Sequence, residues 1–314
     1  MFGDFGGAYY QRNIFVTRNV QVGTTPRVVG FNQETGTNTI VLDPVFANRT
    51  VAVPSSLPLN GRYSGFKMSD QEGPRPVDRV YFAYSYYQGV NPSGNPGLFG
   101  SIDQHRQTIG FEKTLFGNDF SVGLRLPFVQ TVGEGTAGGG NVGDLTVSLK
   151  YAFINDPNSG VVRSAGLIVT TPTGGSTATL LDGTTAPHSA LLQPWVGFSQ
   201  PLGDRFYTQG FSSILVPTSG SAEPTFLFNS LSVGYWLMRN DKGTGLVPVT
   251  EIHINTPLNN RDASSMVFAQ DQINMTNGLH LVLPRAVIGA AITYPLLSPR
   301  PFNAEGLFTV NFRF

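Results

Sequence analysis

The chain is 314 residues long, room for one large β-domain or two smaller ones, and its 20 Lys+Arg balance 20 Asp+Glu. With charge at only 13% and no basic excess, nothing would displace counterions from a nucleic acid. Cysteine is absent, which excludes disulfides and thiolate chemistry, and four scattered histidines argue against a zinc site, so no metal or other cofactor is expected.

No run of about 18 apolar residues exists, so no transmembrane helix is expected. The mean hydropathy of -0.03 still suits membrane strands, whose apolar and polar faces average out. The opening Met1-Phe-Gly-Asp-Phe5 lacks the charged-then-apolar pattern of a signal peptide, so an exported chain would be numbered from after cleavage.

Residues 1–77 are interrupted by Pro26, Pro44, Pro54, Pro58, Pro74 and Pro76, which break short β-like stretches such as 13–17 and 38–42. The expectation is a loosely structured extension, periplasmic or docked in a lumen, that stays ordered only by docking. From residue 78 the rhythm is steady. Strands are expected near 78–89, 104–116, 119–129, 142–154, 161–172, 189–200, 204–216, 225–238, 246–256, 273–283, 286–295 and 306–314. Tight connections at 117–118, 155–159, 201–203, 240–243 and 284–285 alternate with longer ones at 90–103, 130–141, 173–188, 217–224, 257–272 and 296–305. Bacterial outer-membrane barrels have this asymmetry, with short turns on the periplasmic side.

Facing is legible within strands. In 120–128 the apolar set is Phe120, Val122, Leu124, Leu126 and Phe128, and the alternates include Ser121, Gly123 and Arg125. In 144–153 Leu145, Val147, Leu149, Tyr151 and Phe153 oppose Asp144, Thr146, Ser148 and Lys150. A slip of one residue would turn every charge to the wrong face. The chain ends the same way: Phe308, Val310, Phe312 and Phe314 alternate with Thr309, Asn311 and Arg313. Tyr84, Tyr86, Phe128, Tyr151, Phe153, Tyr294 and Phe314 lie near strand ends, where interfacial girdles form.

Alternation also suits a soluble barrel, but the polar face here is built of small residues with few charges, which suits confined lumen water. The reading is therefore an all-β protein: a 12-stranded antiparallel transmembrane β-barrel (78–314) of the bacterial outer membrane, with an N-terminal extension (1–77). Lipid cannot satisfy a sheet edge, so 78–89 should pair with 306–314. Twelve strands lie between the filled eight-stranded and the open 16-stranded barrels, so a narrow or partly plugged lumen is expected.

Arg106, Glu112, Arg125, Asp144, Lys150, Glu251, His253 and Arg313 fall on the inward face. Their mixed signs would either line a pore and tune solute passage or brace the wall and hold a plug. Glu251 and His253, two apart on one face, could be half of a hydrolytic site; no serine motif accompanies them, so lumen hydrogen bonding is the reading and no enzyme is expected. Gly133–Gly140 looks like a phosphate loop but precedes a strand rather than a helix, and so reads as an external loop. Asp262, Asp271 and Asn274 lack calcium-loop spacing.

The stretch Asn141-Val-Gly-Asp-Leu-Thr-Val-Ser-Leu-Lys-Tyr-Ala-Phe153 resembles a Gly-Asp-Leu…Lys-Tyr strand of the phenol-degradation-pathway (MetA-like) transporter family of outer-membrane barrels. Asp70–Tyr86 is similar to the first strand of related barrels, and terminal Phe314, with Phe308, Val310 and Phe312, resembles the signal read by the barrel-insertion machinery. The resemblance, over about 65–314, implies a channel for small solutes, hydrophobic ones included. The expected partners are the lipid bilayer, the insertion machinery, and a second copy or an envelope protein. The alternative is an anchor or scaffold whose extension or long loops bind partners; a lipid-modifying enzyme is the third reading.

Overall fold

The period-two pattern closes into a ring. The computed structural model describes residues 8–58, 62, 65–95, 100–134, 139–175, 179–240 and 243–314. Along the chain, β1 (Ala8–Asn32) and β2 (Thr37–Pro58) make a hairpin. Then come β3 (Arg79–Gln88), β4 (Asp103–Leu115), β5 (Phe120–Val132), a short β6 (Gly139–Val142), β7 (Thr146–Asn155), β8 (Val162–Thr170), β9 (Leu191–Leu202) and β10 (Phe206–Pro217). They are followed by β11 (Phe226–Tyr235), a short β12 (Met238–Arg239), β13 (Gly245–Pro257), a short β14 (Val267–Ala269), β15 (Gln272–Val282), β16 (Ala286–Pro295) and β17 (Ala304–Arg313). No α-helix occurs among the described residues.

Setting aside the hairpin and the three short strands, the other twelve pair antiparallel with their neighbours and close on themselves. The seam runs from Arg79↔Arg313 to Ala304↔Gln88, so β3 meets β17 and no edge is left unpaired. Long loops gather at one end, short turns and both ends of the ring at the other. The outer wall is apolar: Phe82, Ile109, Leu124, Val196, Leu231, Ile252, Leu279, Ile292 and Phe308 are all exposed, while polar and charged side chains point inward and are buried. That inverted facing makes it a transmembrane barrel of the outer-membrane type.

Inward glycines have a defined use. Tyr81 lies across Gly110, Trp195 across Gly166, Phe211 across Gly197 and Tyr207 across Gly234, each aromatic in register with its glycine on the next strand. On the outer face Phe198 covers Gly210 in the same way. A ring laid flat on a glycine fills the wall without bulging it, a pairing that also pins register.

The extension departs from expectation. Residues 8–58 are two long paired strands rather than short broken ones. The prolines misled because both strands of an isolated ribbon are edges, where a missing N–H can point away from the partner. β7 begins at Thr146, with β6 a separate piece before it. Within the expected glycine-rich loop, 135–138 lie outside the described residues, as do 1–7, 59–61 and 63–64 of the extension, 96–99 and 176–178 of two long loops and 241–242 of a short turn.

Where the chain enters β3, Asp78 accepts from Lys113 Nζ (2.5 Å) and from the backbone and hydroxyl of Thr114 (both 2.6 Å). Those bonds hold its carboxyl down at about 2. The clasp is therefore complete above the ordinary carboxylate range and is lost as pH falls through that value.

Gly110→Val would place a branched side chain where the Tyr81 ring lies. Overpacking of this kind costs about 1–3 kcal/mol. The expected result is a lower temperature for loss of the compact form in heat-modifiability gels, with Gly23→Val, in the open hairpin, unchanged.

Candidate functional site

The lumen is occupied by the chain's own N-terminal part. From the hairpin at the long-loop end, the chain passes through Arg62 and residues 65–77 to reach β3 at the short-turn end. Two tiers of contact hold it there.

The upper tier is apolar. Tyr10, Ile14, Val16, Val53 and Leu57, from one face of the hairpin base, join a buried cluster with Phe66, Trp195, Phe211, Leu215, Phe226 and Phe228. Phe66 stacks on Phe211 with centroids 4.5 Å apart. The long loops grip the same base. Gln11 N–H donates to Met266 O (2.9 Å), Leu181 N–H donates to Gln11 O (3.1 Å), and Asn95 both accepts from Ser56 N–H and donates to Ser56 O. β1 pairs with β14 from Ala8↔Ala269 to Tyr10↔Val267.

The other tier is ionic and runs down the segment from the long-loop end, where Arg62 and its partners lie, to Glu72 and Arg75 deeper in the lumen. Arg62 donates to Asp144 Oδ2 (2.5 Å) and to Glu223 Oε1 (2.7 Å). Lys67, fully buried, pairs with Glu305. Glu72 takes Arg125 (3.2 Å) and Arg79 (3.4 Å). Glu251 accepts from Met68 N–H (2.7 Å), Ser69 N–H (2.6 Å) and the Ser69 hydroxyl. Lys150 bridges Glu112 (2.9 Å) and the carbonyls of Gly73 (2.9 Å) and Arg75 (3.3 Å). Uncharged contacts finish the seat: Gln209 and Ser164 donate to the carbonyls of Glu72 (2.6 Å) and Pro74 (2.6 Å). Between them, Gln71 sits in the left-handed region at φ 59°, its side chain bonded to Val287 O (3.0 Å) and Thr309 Oγ1 (2.8 Å). Buried charge is tolerated only when paired and hydrogen-bonded; apart from the Lys150–Glu112 pair, which lies within the wall, each of these ion pairs spans the boundary between segment and wall.

Of the inward residues singled out from sequence, Glu112, Arg125, Asp144, Lys150 and Glu251 contact this segment or its partners directly. Arg106 is buried beside them, donating to Tyr87 Oη (2.7 Å). Arg313 points the same way but lies exposed at the short-turn rim beside Arg75 and Asp78. Phe308, Phe312 and Phe314 are exposed on the outer face, with Val310 half-buried between them. His253 is fully buried. Its Nδ1 meets Ser230 Oγ (3.0 Å), its Nε2 meets Thr276 Oγ1 (3.2 Å), and Glu251 lies 3.6 Å away. A serine, a histidine and a carboxylate are thus brought together, but the carboxylate oxygens are taken by residues 68 and 69. Of the calcium candidates, Asp271 pairs with Arg261 and Asp262 caps its own turn through Ser264, while Asn274 is buried inside the wall. No cluster of three or more metal-ligating groups exists among the described residues.

Reading the sequence missed the segment's own partners, Arg62, Lys67 and Glu72, together with Glu223 and Glu305. The available signal was density: Arg62, Lys67, Asp70, Glu72 and Arg75 fall within 14 residues of a chain that is 13% charged.

No protein-family model matches the chain, and no curated protein matches it. Solved structures do. An outer-membrane channel from Pseudomonas putida F1 aligns with a TM-score of 0.55 at 13% identity, covering 80% of this chain and 100% of that one. The β-domain of a Bordetella autotransporter aligns with a TM-score of 0.50 at 11% identity, covering 76% of this chain and 100% of that one. At such identities the likeness establishes the fold.

Glu72→Ala removes the carboxylate shared by Arg79 and Arg125. Breaking a buried pair costs about 3–5 kcal/mol. The expected result is a lower unfolding temperature and the appearance of current in planar bilayers. An unchanged temperature with no current would show that this pairing does not hold the segment.

Proposed function

We propose that this protein is an outer-membrane display anchor: the barrel holds its own N-terminal hairpin outside the cell, tethered by a segment that runs through the lumen. One observation carries the reading. The chain passes from a hairpin at the long-loop end, down the filled lumen, to a first strand that starts at the short-turn end. Long loops face outward in outer-membrane barrels, so this path supports a hairpin at the cell surface. Beyond its base the hairpin is exposed on both faces, as an arm meant for contact would be.

A second reading is a channel for small solutes that conducts when the segment moves. Several buried polar atoms beside the segment favour it. Both carboxylate oxygens of Asp70, the amide atoms of Gln104 and Oδ1 of Asn311 find no hydrogen-bond partner among the described residues, and such buried atoms take water. The resemblance of 141–153 to the phenol-degradation-pathway transporter family, and the fold match to a channel, support it too.

Protease added to intact cells tests the display reading. It is expected to cut within residues 17–50 and leave a barrel fragment beginning near the hairpin base. Full protection of the arm in intact cells, with cleavage only after the membrane is opened, would overturn it. In planar bilayers the intact protein is expected to be silent, whereas discrete steps at rest would favour the channel.

A further inference from the structure

The free part of the hairpin has two unlike faces. Residues paired across β1 and β2 share a face, and the face alternates along each strand. Following the register through the two bulges, Phe15, Val28, Phe31, Ile40, Leu42 and Phe46 fall on one face. All six are exposed, to between 55% and 65%. No charged residue of β1 or β2 between 17 and 50 shares that face. Arg18, Arg27, Asp43 and Arg49 all lie on the other, where Arg27 pairs with Asp43 (2.6 Å) and Arg18 reaches Glu134 in a long loop (3.5 Å).

We infer that this apolar face is the contact between two copies of the chain, which pair arm to arm. The inference rests on the arm lying outside the membrane. Three features argue for a second copy. First, two like-oriented barrels in one membrane can be related symmetrically only about an axis along the membrane normal. Residues near that axis then meet their own twins at the same height, so any charge on the shared face would meet a like charge. This face carries none, while the opposite face carries three arginines. Secondly, the ribbon's edges are poor sites for strand addition: Pro26 on β1 and Pro44 and Pro54 on β2 lack the N–H groups such pairing needs. Contact through the face is what remains. Thirdly, the six side chains expose on the order of 600 Å² per copy, and the neutral Thr, Asn and Gln residues between them bring the face to the roughly 800 Å² per partner of a standard interface. An uncovered patch of this size is at the upper limit for a monomer in water.

The absence of native cysteine makes the test clean. In the full-length protein, Leu42→Cys is expected to form a disulfide-linked dimer under mild oxidation in native membranes. Val45→Cys, on the opposite face, is expected to stay monomeric. Leu42→Asp with Phe46→Asp should halve the mass of the detergent-purified protein measured by light scattering. Both changes lie in the exposed arm, and heat-modifiability checks that the barrel still forms. A monomeric mass for the unaltered protein, equal crosslinking from both faces, or a Leu42→Cys adduct with another protein in place of the dimer would each overturn the inference. Labelling of Thr35→Cys at the hairpin tip by a membrane-impermeant maleimide on intact cells separates the two readings. A labelled tip without a dimer defeats only the pairing, and an unlabelled tip defeats the display reading itself.

Discussion

Charge enclosed by a lipid-coated wall has no solvent to spread into, so it must be answered from within. That constraint organises the molecule. A wall carrying Glu112, Arg125, Asp144, Lys150, Glu251 and Glu305 on its inner face would be costly around a dry space. Arg62, Lys67, Glu72 and the backbone N–H groups of 68 and 69 supply the answering groups. Pairing buried ions need not make a fold more stable than a well-packed apolar core would be. What it does is make position specific: a shift of the segment by one residue would strand several charges at once. The apolar tier above acts differently. It adds non-directional burial where the hairpin base meets the long loops, so the mouth is closed by contact and the lumen by register.

The barrel was legible because its information is local. Alternation in 120–128 and 144–153 names the lipid face without reference to any other part of the chain, and the alternation of long and short connections counts the strands. Small residues on the inward face were legible as a class, but the partner of each was not. That Gly166 makes room for Trp195, or Gly110 for Tyr81, depends on register between strands, which one strand's pattern does not contain. The candidate site was half visible for the same reason. Its wall side followed from facing, whereas its segment side sits in irregular chain at 62 and 65–77, where no period marks which way a side chain points. The hairpin was misread because proline was weighed as a breaker, a sound inference for a central strand and a poor one for a ribbon that is all edge.

The same chain thus solves one problem three ways. The barrel shows apolar side chains to lipid and turns polar ones inward. The hairpin base turns its apolar side chains into the mouth. The free arm has no third surface to lean on, and so presents a neutral apolar face on one side and its arginines on the other. Edge prolines leave that face as the surface through which the arm can engage anything.

The threaded path also bears on the order in which the molecule can be built. A two-stranded ribbon with side chains on both faces is too broad to be drawn through a closed ring whose interior is already lined with paired charge. The path is simplest to build while the sheet is still open, with Arg62 and residues 65–77 lying against the inner face of the growing wall. The β3–β17 joint joins the first strand of the ring to its last, and it closes the wall around the segment. On this order of events, closure leaves the hairpin at the long-loop end, with no route back through the filled ring.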